Sequence, residues 1–173
     1  NAGNSFPQFT YSLNASLNYG GFDMNMMWSG SQGNKIFNGL TLGGKLMQGT
    51  GYNNSVDILD RWTPDHTNTD IPRVSIKDLN NNHTYSTFYI EDGSFLRMKY
   101  LSFGYTFNNS LLGPNISKLR VFLTFQILIT ITKYSGFDPE IGSDVGVNAN
   151  MYGGDRGAYP QAKAYILGIN FNF

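Results

Sequence analysis

Two histidines, a cluster of carboxylates and a glycine-rich segment holding an arginine are the places where this sequence could do chemistry. His66 and His83 stand in a region rich in Asn, Thr, Asp and Pro. Neither has a second histidine at the spacing that puts two imidazoles on one metal, so both read as solvated loop residues. Asp138, Glu140 and Asp144, in GFDPEIGSD, carry the oxygen donors a hard cation such as Ca²⁺ would take. They lack EF-hand spacing, and Asp-Pro turn chemistry with local ion pairs is the ordinary reading. Gly153 to Gly157, GGDRG, follows no strand-to-helix unit that would aim backbone N–H groups at a phosphate, and it reads as loop. Asp57 and Asp60 fall on a short helix expected through Asp57, Ile58, Leu59, Arg61 and Trp62. Ser55 caps it and Thr63-Pro64 stops it, which gives the carboxylates a capping and dipole role. There is no G-x-S-x-G, and with no cysteine there is neither a disulfide framework nor a thiolate zinc site. Sequons such as Asn53-Asn54-Ser55 arise by chance in so Asn-rich a chain. An enzyme reading therefore has no residues to carry it, and no metal or cofactor is implied.

Aromatic rings are the other resource, at 15% of the chain. Tyr52, Trp62, Tyr85, Phe88, Tyr134, Phe137, Tyr152 and Tyr159 fall outside the periodic segments. Such rings pack loops together or offer CH–π surface to a sugar. Tyr11, Tyr19, Phe22, Trp28, Phe103, Tyr105, Phe107, Phe171 and Phe173 fall within periodic segments, where lipid-facing and interfacial girdle positions are the economical reading.

The elements that position these residues are strands. Lys118 to Thr132, KLRVFLTFQILITIT, is apolar at every odd position, while Lys118, Arg120, Thr124, Gln126, Thr130 and Thr132 share the even face with only Phe122 and Leu128. A period of two puts these sets on opposite faces of a strand with two environments. From this segment alone a membrane barrel strand and a long strand of a soluble sandwich are both open. Phe9 to Tyr19 alternates without a fault. Gly20-Gly21 then turns the chain back as a tight hairpin, because glycine accepts positive φ at both central positions. The return segment spans 21–33. In 95–107, Leu101, Phe103, Tyr105 and Phe107 share one parity, whereas Leu96, Met98 and Tyr100 have the other. Either a one-residue bulge lies near Lys99 or Tyr100, or the bilayer-crossing part begins at Leu101. A last alternating segment, 161–173, ends on Phe173.

About five strands emerge, with connections that alternate short and long, and this asymmetry favours a transmembrane barrel. Short turns at Gly20-Gly21 and 108–117 would be periplasmic, and the loops 34–94 and 133–160 would be extracellular. Composition agrees: 40% hydrophobic with only 14% charged is poor in charge for a soluble domain, where about a quarter is usual. A net charge of zero gives no reason to expect nucleic acid. No apolar run is long enough for a transmembrane helix, and a barrel needs none. About five strands cannot close a barrel, so others must lie upstream or in partner chains. The opening NAGNSFPQFTYS, without an initiator Met or a signal-peptide pattern, favours the downstream part of something longer. The expected fold is thus all-β, about five antiparallel strands of a transmembrane barrel that strands outside this segment complete.

Five blocks carry a resemblance to a known family: GFDMNMMWSGSQGNKIFN (Gly21 to Asn38), LDRWTPDHTNTDIPR (Leu59 to Arg73), GSFLRMKYLSFGYTF (Gly93 to Phe107), ITKYSGFDPE (Ile131 to Glu140) and YPQAKAYILGINFNF (Tyr159 to Phe173). Together they resemble the C-terminal end of the SusC/RagA group of TonB-dependent outer-membrane transporters. The resemblance implies the last strands and two outer loops of a barrel of about 22 strands. It implies import of glycan fragments or peptides across the outer membrane of a Gram-negative cell, under a SusD-like surface lipoprotein and powered by TonB through upstream segments. Outer-membrane lipid would surround the wall. Expected substrate or lipoprotein contacts are Arg61, Trp62, Tyr134, Phe137 and Tyr152. Phe171 and Phe173 would form a terminal assembly signal. One block departs: where the family resemblance leads to a GQNLF-like run, this chain has FQILI, with Ile127 in place of Asn and Ile129 in place of an aromatic. The runner-up from another class is a secreted β-sandwich module that binds carbohydrate; a hydrolase has no supporting motif.

Overall fold

The computed structural model describes residues 2–45, 53–75, 77–78, 80–82, 84–108, 112, 116–141 and 152–173. The chain separates into two compact units. The first draws on residues 7–33, 93–133 and 160–173. It is a five-stranded antiparallel sheet of β1 (Phe9–Tyr19), β2 (Phe22–Gln32), β5 (Phe95–Thr106), β6 (Lys118–Thr132) and β8 (Ala164–Asn172), in the order β1-β2-β5-β6-β8. The second unit, drawn from residues up to Phe6, 34–92 and 134–159, holds β3 (Lys35–Asn38), helix α1 (Gly39–Lys45), β4 (Ile90–Asp92) and β7 (Gly154–Asp155).

The sheet unit has one apolar and one polar face. Gly20 (φ 54°) and Gly21 (φ 93°) make the primed hairpin turn, and β1 pairs β2 without a slip from Phe9↔Gln32 to Tyr19↔Phe22. Rows of paired residues then run across the sheet. Leu17, Met24, Phe103, Leu123 and Leu167 form one row on the apolar face; Ala15, Met26, Leu101, Phe125 and Tyr165 form the next. Much of this face is open: Leu17 is 60% exposed, Leu167 73% and Ile169 64%. On the other face Ser16 donates to Asn25 Oδ1, and Ser102 and Thr124 share a hydrogen bond. Arg120 reaches over β5 to hold Asp23 with two hydrogen bonds, Nε to Oδ1 at 2.8 Å and Nη2 to Oδ2 at 2.6 Å. Gly104 lies between the partners, and a Cβ there would strike both. Phe122, the aromatic on the polar parity, covers Gly168 and takes the Arg120 guanidinium over its ring at 4.9 Å.

The parity fault in β5 is a bulge. Met27 pairs Tyr100 and Trp28 pairs Met98, which leaves Lys99 as one extra residue. Leu96 and Met98 therefore return to the same face as Leu101, Phe103 and Tyr105. At the same level β6 has two unpaired residues, Ile127 and Leu128, against the single Lys99 of β5, because Tyr100 pairs Gln126 and Met98 pairs Ile129. Ile127 takes φ 52°, in the left-handed region. The β6–β8 ladder stops at Gln126↔Ala164, next to this bulge. β8 begins at Ala164, later than the periodicity of 161–173 implied.

The described parts of the loop regions contain short regular elements that their composition did not suggest. β3 pairs β4 antiparallel and β7 parallel, so GGDRG contributes a short strand. Asn38 caps α1 by accepting the Thr41 N–H at 3.0 Å. The helix expected after Ser55 is instead a 3-10 turn, Val56–Asp60, with Ser55 Oγ accepting the Asp57 N–H. It stops short of Trp62, whose N–H goes to the Ile71 carbonyl, a partner that continued helix would not allow.

Candidate binding site

The loop unit is fastened by buried polar groups. Asn38, 1% exposed, donates from Nδ2 to Glu91 Oε1 and Ser135 Oγ, and Glu91 also accepts the Ser135 N–H and hydroxyl. Asp155, 0% exposed, accepts from the Tyr134 hydroxyl at 2.6 Å and from the N–H groups of Gly157 and Ala158. Burial, then the Asp155 carboxylate, push the Tyr134 phenol far above the usual tyrosine range. These residues join segments remote in sequence, and composition gave no sign of them beyond the Asp and Asn content of the loops.

The structure scatters the expected contact residues. Tyr134 is buried, 6% exposed, and its hydroxyl donates to Asp155. Phe137 is 67% exposed beside a cleft of about 290 Å³ that also meets Leu40, Thr41 and Ser135. Tyr152 stacks on Phe6 at 4.5 Å and lines another cleft, with Lys35, Phe37 and Ile90. Arg61 and Trp62 follow the 3-10 turn, and Trp62 is 37% exposed. His66 Nε2 meets Asp60 Oδ1 at 2.7 Å on the surface, where the pair fastens a turn with Thr69. Asp138 accepts the Glu140 N–H and closes a turn across Pro139. His83, Tyr52 and Asp144 lie outside the described residues, as does most of 108–117. Phe171 packs edge-on to Phe173 at 5.2 Å, and Phe173 lies one residue past β8.

A third cleft, about 360 Å³, is lined by the stretch from Asn81 to Tyr89 together with Asp70 and Pro72. Asp78 (φ 40°) and Asn81 (φ 52°) turn the chain through conformations that Asp and Asn tolerate, and Asp78 Oδ1 accepts the Asn82 N–H. Asn81 and Asn82 line the cleft together with Tyr85, Phe88 and Tyr89. Tyr89 is buried, and its hydroxyl donates to the Asn82 carbonyl at 2.8 Å. Desolvation, then Asp78, raise its phenol above the usual value and keep it a donor. Phe88 stands edge-on to Tyr89, and Tyr85 leans on Phe37 at 5.0 Å. Tyr85 is 64% and Phe88 46% exposed, so both offer rings to the cleft. Among the described lining residues Asp70 alone is charged. Tyr85 and Phe88 were among the loop aromatics; the Asn run that lines the cleft with them read only as loop composition.

No family model matches the chain. A TonB-dependent receptor, P3, of Formosa agariphila is 37% identical over 177 residues, which cover 99% of this chain and 17% of the relative. The TonB-dependent receptor SusC of Bacteroides thetaiotaomicron is 31% identical over 62% of this chain and 10% of its own length. The RagAB peptide importer, in a structure of its closed-closed state, aligns with 98% of this chain and 18% of that chain, at a TM-score of 0.79 and 28% identity. The chain thus spans about a sixth of the length of the proteins it matches. With a two-faced sheet whose edge strands β1 and β8 have no second partner among the described residues, this chain belongs to the SusC/RagA family of TonB-dependent outer-membrane transporters, as a C-terminal portion of their β-barrel.

Proposed function

We propose that this chain supplies barrel wall and substrate-facing rim loops to an importer that brings oligosaccharides or peptides across the outer membrane. Its work is positional: it binds and encloses, and carries out no bond chemistry. TonB would act through upstream segments of the protein, and a SusD-like surface lipoprotein would close over the rim. The loops 34–94 and 133–160 would be extracellular, and the turns at Gly20-Gly21 and 108–117 periplasmic. Arg61, Trp62, Phe137 and Tyr152 are the rim residues offered to substrate or lipoprotein.

The observation that carries this reading is the sheet. Its apolar face is left open at Leu17, Leu123, Leu167 and Ile169, while its opposite face holds the Asp23–Arg120 pair. In a hydrocarbon phase the outer strands must also find partners, since each unpaired backbone group there costs several kcal/mol. A soluble β-sandwich would instead cover the apolar face with a second sheet.

Fractionation tests the reading. The intact protein is expected in the outer membrane, released only by detergent, and protease added to whole cells is expected to cut within 34–94 and 133–160. Release without detergent would sink the importer reading, and cleavage confined to the short turns would reverse the orientation.

A further inference from the structure

We propose that the cleft lined by Asn81, Asn82, Tyr85, Phe88 and Tyr89 is a subsite for a neutral oligosaccharide. The inference deepens the importer reading and rests on it. Two features favour a sugar over a peptide. The rings of Tyr85 and Phe88 line the cleft and are exposed, and each is held by one ring contact, Tyr85 to Phe37 at 5.0 Å and Phe88 to Tyr89 at 5.2 Å. Such preorganisation keeps the entropic cost of binding low. The polar lining is the second feature. Asn81, Asn82, Thr84 and Ser86 provide amide and hydroxyl groups that both donate and accept, as sugar hydroxyls do.

A peptide asks for different partners. Its chain wants a strand edge or a row of backbone groups, and its carboxylates want cations. The described lining contains no Lys or Arg, and its one charge, Asp70, would repel a carboxylate. The segment 84–89 reaches the cleft as bend and 3-10 turn, which offers no strand edge for a peptide to extend. At about 360 Å³ the cleft lies near the lower end of small-molecule sites, the size for one or two sugar rings of a longer chain.

The test uses the full-length transporter purified in detergent, with neutral gluco-, xylo- and manno-oligosaccharides and a mixed oligopeptide library as probes. Calorimetry should detect a neutral oligosaccharide. Tyr85→Ala and Phe88→Ala should each weaken it about three- to tenfold, the range for one lost aromatic contact. Tyr85→Phe, which keeps the ring, should bind as the parent does. Both residues are exposed, so the variants should assemble normally; heat-modifiable migration on gels checks this before binding is measured. A membrane-assembled protein that binds only peptides, or that binds sugars equally well with Tyr85→Ala and Phe88→Ala, overturns the subsite and leaves the importer reading standing. A protein that needs no detergent sinks both.

Discussion

The sheet unit and the loop unit solve the burial problem in opposite ways. The sheet spreads large apolar side chains over one open face, and among the described residues its buried apolar side chain is Met98. The loop unit has its own small core, Ile36, Ile71, Tyr89 and Tyr134, and fixes it with the buried Asn38 and Asp155. A sheet of this kind takes its stability from lipid contact and from closure with further strands. The loop unit takes its stability from hydrogen bonds that must all be made, because a buried group left unpaired costs about 1–3 kcal/mol. One unit is thus sensitive to which face a side chain occupies, the other to which partner it keeps.

The largest expected effect would break the sheet's side of the comparison. Leu123→Arg or Phe125→Arg puts a charge on the apolar face, where the cost near the bilayer midplane is about 2–4 kcal/mol. Arg at Thr124 or Gln126, on the face that already holds Arg120, should be tolerated. The amount of assembled, heat-modifiable barrel in outer-membrane fractions reads the difference. Equal damage at both parities would mean that both faces are dry, as in a closed soluble fold.

The loop side is broken by Asp155→Ala. Tyr134 and the turn N–H groups of Gly157 and Ala158 lose this acceptor, and a buried group left unpaired costs about 1–3 kcal/mol. Protease should then cut 134–160 far faster while the amount of assembled barrel stays the same. If assembly falls in step with loop cleavage, the two units do not have separate stabilities. A smaller effect should follow from pH. A phenol whose folded pKa is raised contributes stability that is complete below the unfolded value, about 10. That contribution is lost as pH rises towards the folded value, so protection of 134–160 should weaken in alkali. Tyr134→Phe should remove the alkaline step; an unchanged step would assign it to another group.

The units also differ in how far the sequence exposed them. β1 was legible residue by residue and β6 in its bounds and alternation, because a strand between two solvents writes its environment into every second position. The Lys99 bulge was legible as one of two readings, since a single extra residue reverses parity. The pair Ile127-Leu128 was silent: two unpaired residues leave the odd–even alternation of β6 unbroken, and Leu128 looked like a stray apolar side chain. In the loop unit β3, β4 and β7 are two to four residues long, too short to show a period. The parallel pairing of Phe37 with Gly154 joins segments that no local signal links. The Tyr134–Asp155 hydrogen bond likewise joins residues 21 apart in sequence, and no local signal announces it.

The smallest predicted effect sharpens the comparison, because it raises the stability of the sheet. Ile127 holds φ 52° in the middle of β6. The left-handed region costs an ordinary L-residue about 1–2 kcal/mol, and a branched Cβ makes the fit worse, whereas Asn and Gly enter it readily. The resemblance to the SusC/RagA group led to Asn at this position, and the bulge supplies a physical reason for that residue. Nothing in the alternation of β6 asks for Asn there; the backbone does. Ile127→Asn and Ile127→Gly should therefore each stabilise the assembled barrel by about 1 kcal/mol, against the usual loss when an apolar strand residue becomes polar. Ile129→Gly, at the flank of the bulge, should destabilise, because that residue pairs Met98 and its φ lies outside the left-handed region. The temperature at which the folded band gives way to the unfolded one on gels ranks the three variants against the parent. If Ile127→Gly melts below the parent, together with Ile129→Gly, the side chain of Ile127 matters more than its backbone and the bulge carries no strain.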